Sequence, residues 1–100
     1  MMIENRRFLP IGTVLKLKNG TKKVMINAYG VFSTSNKGKI YEYGACLYPE
    51  GIIDSDNICV FNHDDIEEIF HLGYITDEQD KYCKKMDENY ENYISTLNNV

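Results

Sequence analysis

The sequence CLYPEGIIDSDNICVFNHDDIEEIFHLGY, residues 46–74, carries the clearest structural signals in the chain. Pro49 and Gly51 interrupt an extended run, because proline has no backbone N–H to donate to a sheet and glycine tolerates turn conformations. Residues 58–61, ICVF, form a short apolar run bounded by polar residues, which is typical of a strand buried on both faces. The stretch therefore predicts the end of one strand, a turn and a second strand.

The same stretch predicts a short helix over residues 63–71, directly after the second strand. Asn62 is a suitable N-cap, and the acidic residues that follow it favour the positive N-terminal end of a helix. Ile66, Ile69 and Phe70 have the spacing i, i+3, i+4, which places them on one helical face. We expect this helix to pack through that face on a sheet.

A β-hairpin is predicted around Asn19 and Gly20. The residues on either side of this pair alternate between apolar and polar, which is the pattern of a half-buried strand. An Asn-Gly pair is the strongest short hairpin signal, and it predicts a type I′ turn with positive φ at both residues. A two-residue loop pairs Leu15 with Val24 and places the apolar side chains of both strands on one face.

The predicted fold class is α+β. Alternation resumes over residues 39–48, so at least four strands are expected, and short connections favour antiparallel pairing. We expect a small, mainly antiparallel sheet, as a meander or a partly open barrel, with the short packed helix and a longer C-terminal helix. Residues 1–75 form the predicted core domain and residues 76–100 the C-terminal helix.

The predicted core consists of apolar residues from the hairpin, the later strands and the short helix. They are Leu15, Leu17, Val24, Ile26, Leu47, Val60, Ile66, Ile69 and Phe70.

The C-terminal helix is predicted to carry a partner-binding surface. Residues 76–79, TDEQ, match a capping box that opens a helix of about 20 residues. Large side chains recur along it at spacings of three or four: Tyr82, Met86, Tyr90, Tyr93 and Leu97. A stripe this narrow is typical of a seam for one neighbour, so we predict that these five residues bind a protein partner. The alternative is that the stripe packs on the chain's own sheet.

The charge is divided unequally along the chain. Residues 1–40 carry eight Lys or Arg and one Glu, for a net charge of +7, and residues 41–100 carry three Lys and fourteen acids, for −11. A basic half can indicate nucleic-acid binding. The total is −4, however, and the two halves must fold against each other. We therefore favour internal charge complementarity, or two surfaces for different partners, and expect no nucleic-acid partner.

Candidate catalytic and metal-binding residues do not form a recognisable motif. Cys46, Cys59 and Cys83 are widely spaced and match no zinc or redox pattern. His63 and His71 lack a third ligand at a suitable spacing and a nearby nucleophile. We expect no enzyme activity, no metal and no cofactor.

No targeting or membrane signal is present in the sequence. The N-terminal residues lack a charged segment followed by an apolar run, and no apolar stretch approaches the roughly 20 residues of a membrane span. We expect a cytoplasmic protein with no membrane partner.

Two stretches carry a resemblance to a known family: LPIGTVLKLKNGTKKVMI, residues 9–26, and YGACLYPEGIIDSDNICVFNHDDIEEIFHLGY, residues 43–74. They resemble domain-of-unknown-function family 4176 over roughly residues 9–75. The most specific pieces are LPIG, NGTKK, LYPEG and FNHDDI. The resemblance brings no catalytic residue, and the tail from Thr76 onward lies outside it.

Members of that family resemble accessory proteins encoded beside LXG-type toxins of the type VII secretion system in Gram-positive bacteria. The resemblance therefore implies a protein-binding role, with a secreted toxin or another type VII secretion protein as the partner. One interpretation is a chaperone or targeting factor that acts on the toxin before export. The alternative is an immunity protein that binds and blocks a toxin domain.

Overall fold

The computed structural model describes residues 8–33, 39–54 and 58–98, with side chains described over 8–31, 39–54 and 58–89. These residues form five strands, one 3₁₀ turn and one α-helix. The strands are β1 Val14–Leu17, β2 Lys23–Ser33, β3 Lys39–Leu47, β4 Cys59–Phe61 and β5 Ile66–His71. The 3₁₀ turn His63–Asp65 lies between β4 and β5, and the helix α1 spans Asp77–Asn98.

All five strands form one antiparallel sheet with the order β4-β3-β2-β1-β5. The first four strands follow each other as a meander, and β5 returns to pair with the free side of β1. The chain is thus a small α+β fold with a C-terminal helix, as predicted from the sequence.

The sheet is open but strongly curved. β4 and β5 lie at opposite edges of the strand order, which corresponds to about 19 Å across a flat sheet. Only residues 62–65 connect them, a path that reaches at most about 18 Å when fully extended. Three of these residues form the 3₁₀ turn, which shortens the path further because it rises about 2 Å per residue. The two edges must therefore approach each other at this end, as in a partly open barrel.

The hairpin of β1 and β2 has the predicted register. Leu15 lies opposite Val24, and the Ile26 N–H donates to the Thr13 carbonyl at 2.9 Å. This pairing places the apolar side chains of the two strands on the buried face. The register predicted from the two-residue loop and the hydrophobic alternation is therefore correct.

The turn of this hairpin is not the predicted type I′ turn. The Gly20 N–H donates to the Leu17 carbonyl at 3.0 Å, and Asn19 has a φ of 66° whereas Gly20 has no positive φ. A positive φ at the third residue alone is the arrangement of a type II turn. The Lys18 N–H donates to the Asp65 carbonyl at 2.9 Å, so a contact with the 3₁₀ turn helps to set this geometry.

The helix predicted over residues 63–71 is wrong. Only His63–Asp65 turn, and strand β5 begins at Ile66. The Asn62 N–H donates to Asp65 Oδ2 at 2.9 Å, so the predicted helix start does form a capped turn. A single isolated turn is weakly stable, and pairing with β1 satisfies the backbone groups that follow it. Tertiary pairing therefore outweighs the helical spacing of the apolar residues.

The core differs from the prediction at the edges of the sheet. Of the predicted core residues, Leu15, Val24 and Ile26 are buried. Half-buried positions are Leu17, Leu47, Val60 and Ile66. The prediction is wrong for Ile69 and Phe70, which are 42% and 44% exposed because β5 is an edge strand. Buried residues outside the predicted set include Phe8, Leu9, Tyr43, Ala45, Phe61 and Cys83.

Candidate functional site

Two tyrosine hydroxyls hold the segment that enters β1. The Leu9 N–H donates to the hydroxyl of the fully buried Tyr43 at 3.0 Å, and the Tyr29 hydroxyl donates to the Leu9 carbonyl. Burial is the main cause that raises the pKa of Tyr29 above its ordinary value, so this hydroxyl keeps its proton. Both backbone groups of Leu9 are thereby satisfied inside the protein, and the position of this residue is fixed.

A second set of hydrogen bonds fixes the connection between β4 and β5 on β3. The Tyr43 hydroxyl lies 2.8 Å from His63 Nδ1, and the His63 N–H donates to Glu42 Oε1 at 2.7 Å. The Glu42 N–H in turn donates to Asn62 Oδ1 at 3.0 Å. His63 therefore has a structural environment in this fold, in which its ring and backbone position the start of β5.

An open groove of about 740 Å³ runs along β5. Its lining includes every residue from 66 to 72, together with Leu9, Lys18, His63 and Asp64. β5 pairs with β1 on one side and is the last strand in the order of the described sheet, so the groove lies along an edge strand.

The groove combines apolar side chains with negative charge. Ile69 and Phe70 supply much of its exposed apolar surface. Among charged residues, Asp64, Glu67 and Glu68 line the groove against Lys18, so these four side chains carry a net charge of −2. Glu67 forms an ion pair with Lys16 of β1.

Phe70 also contacts a cation on the neighbouring hairpin. The Lys23 ammonium lies 4.9 Å from the centre of the Phe70 ring, a cation–π distance. This contact holds one face of the ring, while 44% of the residue stays exposed. The Phe70 ring is therefore held in place by Lys23 and is still accessible to a partner.

The structure describes only part of the stripe predicted to bind a partner. Tyr82 is 56% exposed, with its ring centre 6.1 Å from that of Tyr29, and Met86 is half-buried against the core. The side chains of the remaining three residues lie outside the described residues: Tyr90, Tyr93 and Leu97. For the stripe as a whole, partner binding stays a prediction.

The first half of α1 packs on the sheet through a residue outside the stripe. Cys83 is 3% exposed and belongs to the core. The Gln79 side-chain amide donates to Cys83 Sγ at 2.9 Å, and the thiol lies 3.5 Å from the Tyr29 hydroxyl. This half of the helix is therefore attached to the sheet through Cys83, beside the stripe. The sequence feature that could have indicated this packing is Cys83, an apolar residue directly after Tyr82.

The groove along β5 was not predicted from the sequence. Its residues, IEEIFH, were interpreted as helical because Ile66, Ile69 and Phe70 share a helical face and two glutamates separate the isoleucines. The signal that could have identified a strand is the enrichment in isoleucine and phenylalanine over six residues.

Two further findings bear on ligands and membranes. Over residues 8–33, 39–54 and 58–98, no three His, Cys, Asp or Glu side chains lie together in a way that could hold a metal ion. In the same ranges, no helix is long and apolar enough to cross a membrane.

Cys46, Cys59 and Cys83 are free thiols, and burial raises the pKa of Cys59.

The fold and the groove define a small α+β domain with an accessible strand edge. The chain belongs to the domain-of-unknown-function family DUF4176, whose model matches residues 8–82. The match extends beyond residue 75 into the start of α1, so the tail from Thr76 does not lie wholly outside the family. No curated protein and no solved structure matched the chain.

Proposed function

We propose that this chain is a non-enzymatic, protein-binding accessory factor, a chaperone or targeting factor for an LXG-type toxin exported by type VII secretion. The observation that carries the proposal is family membership over residues 8–82, because the sequence resembles proteins encoded beside such toxins. It acts in the cytoplasm before export, and its partner is the toxin rather than nucleic acid or membrane.

Exposed apolar side chains support a protein-binding role. Ile69 and Phe70 project from β5, and Ile52 is 63% exposed in the loop between β3 and β4. Exposed apolar patches on a soluble domain commonly mark surfaces that a partner covers. The net charge of −4 opposes association between copies of the free protein.

The stripe along α1 is the second surface in this proposal. Tyr82 is exposed, and the stripe continues towards the C-terminal end of the helix through Tyr90, Tyr93 and Leu97. Tyrosine and methionine supply large, adaptable contact area, and a few such anchors usually dominate the binding energy.

Co-purification with the separate domains of the neighbouring toxin tests this function. Tagged full-length chain is expressed with the N-terminal LXG domain in one culture and with the C-terminal toxin domain in another. We expect stable capture of the LXG domain, because a chaperone or targeting factor acts on the part that is exported in common. Capture of the C-terminal domain alone, with rescue of growth, would instead identify an immunity protein.

A further inference from the structure

We propose that this chain binds its client through the outer edge of β5. An extended basic and apolar segment of the client pairs with this edge and becomes a further strand of the sheet. This inference rests on the proposed function and names the surface and the chemistry of the bound segment. β5 is the last strand of the sheet that the structure describes, and β1 pairs with its inner side. Among the described residues no further strand pairs with its outer side, and an unpaired edge is the arrangement that recruits an additional strand.

The length and shape of the groove fit an extended peptide. β5 spans six residues, Ile66–His71, and the groove touches all of them. An added strand gains affinity from backbone hydrogen bonds and specificity from contacts with alternate side chains. Ile69 and Phe70 provide the exposed apolar contacts.

Two neighbours held by hydrogen bonds make the groove a prepared site. Leu9 lines it and is held by the hydroxyls of Tyr29 and Tyr43. His63 lines it too, and its backbone N–H is bound to Glu42. Less ordering is therefore needed when a peptide binds.

Charge distinguishes a basic client segment from a second copy of this chain. Glu67 is paired with Lys16, which leaves Asp64 and Glu68 against Lys18, a net charge of −1 that would attract Lys or Arg in the added strand. A second β5 would instead bring its own Glu68 against the same carboxylates, and β5 itself contains no Lys or Arg. Like charges across a strand pair are destabilising, which favours the basic client segment.

The test uses the full chain, the purified LXG domain of the neighbouring toxin as the probe, and two groove variants. Ile69→Lys removes apolar contact and Glu68→Lys reverses a groove charge; both positions are exposed. The matched controls are Ile58→Lys and Glu88→Lys, which change exposed residues that do not line the groove. We expect the Kd to rise about tenfold or more for each groove variant and less than twofold for each control.

Amide hydrogen exchange distinguishes strand addition from other modes of binding. On adding the LXG domain, we expect the amides of residues 66–71 to gain protection, while those of the central strand β3, Lys39–Leu47, do not change. Protection confined to α1, or equal affinity of all four variants, would overturn the β5 inference and leave the proposed function standing. Failure of the wild-type chain to bind either toxin domain would overturn both.

Sedimentation of the free protein tests whether a second copy of this chain, instead of a client segment, binds the β5 edge. We expect a monomer at micromolar concentration for the wild-type chain and for Ile69→Lys. A wild-type dimer that Ile69→Lys converts to monomer would assign the β5 edge to self-association and contradict a client segment.

Discussion

Asn19 is the residue that bears the backbone strain of the first hairpin. It occupies the left-handed region at φ 66°, a conformation that costs most residues about 1–2 kcal/mol and that asparagine and glycine tolerate best. The neighbouring Gly20, which the sequence pattern made equally important, has no positive φ. The requirement for special backbone freedom therefore lies one residue earlier than Gly20.

Replacing Asn19 tests this assignment. We expect Asn19→Ala to lower the free energy of unfolding by about 1 kcal/mol, because alanine resists positive φ. Asn19→Gly is the matched control and should remain within a few tenths of a kcal/mol of the wild type. Urea unfolding measures both, and coincident midpoints for the alanine and wild-type chains would contradict the type II turn.

Tyr43 is a buried residue whose hydroxyl contacts two other polar groups. Its hydroxyl accepts from the Leu9 N–H and lies 2.8 Å from His63 Nδ1, while its ring stacks on Phe61 with centres 5.2 Å apart. A tyrosine count suggests surface or interface positions, because the residue is amphipathic. Burial of this one depends on partners 20 and 34 residues away, which local pattern cannot reveal.

Removing the Tyr43 hydroxyl should therefore be costly. We expect Tyr43→Phe to lower the free energy of unfolding by about 1–3 kcal/mol, because the buried Leu9 N–H loses its acceptor. Tyr74→Phe is the control, since Tyr74 is 85% exposed and should tolerate the change. If the two variants have the same melting temperature and the same denaturant midpoint, the hydrogen bond from the Leu9 N–H to the Tyr43 hydroxyl does not contribute to stability.

At the scale of elements, the hairpin could be predicted and β5 could not. Alternation aligned β1 with β2 because both strands bury one face and are close in sequence. β5 pairs with β1 across some fifty residues, and this long-range pairing replaces a local helical preference. Since the candidate groove follows β5, the site could not be predicted while the element was interpreted as a helix.

The helix α1 belongs partly to the core and partly to the predicted partner surface. Cys83 and Met86 pack on the sheet, whereas the stripe continues beyond them to residue 97. The two parts of one helix can therefore have different roles. Truncation at two points separates them.

We expect a chain ending at residue 75 to melt at a clearly lower temperature than the full chain, because it loses the core contacts of Cys83 and Met86. A chain ending at residue 89 keeps these contacts and should melt within a few degrees of the full chain. Circular dichroism measures both transitions. Equal melting of the shorter chain and the full chain would show that α1 adds nothing to the core.

At the scale of the whole molecule, the fold is a curved sheet whose edge strand β5 lines an open groove. The connection between β4 and β5 brings the sheet edges together at one end, and Leu9 and His63 line the groove beside β5. The molecule therefore combines a buried core with an edge strand that, in the proposal above, accepts another strand. A client chaperone needs both properties, because it must stay folded while it holds a partly exposed segment.

Toxin export in living cells tests the central claim most directly. The amount of the neighbouring LXG toxin is measured inside and outside cells that lack this chain, and again after the wild-type gene is restored. The proposed accessory role predicts that exported toxin falls sharply and returns with the wild-type gene, without self-killing of the deletion strain. Unchanged export together with self-killing would contradict that role and support an immunity protein.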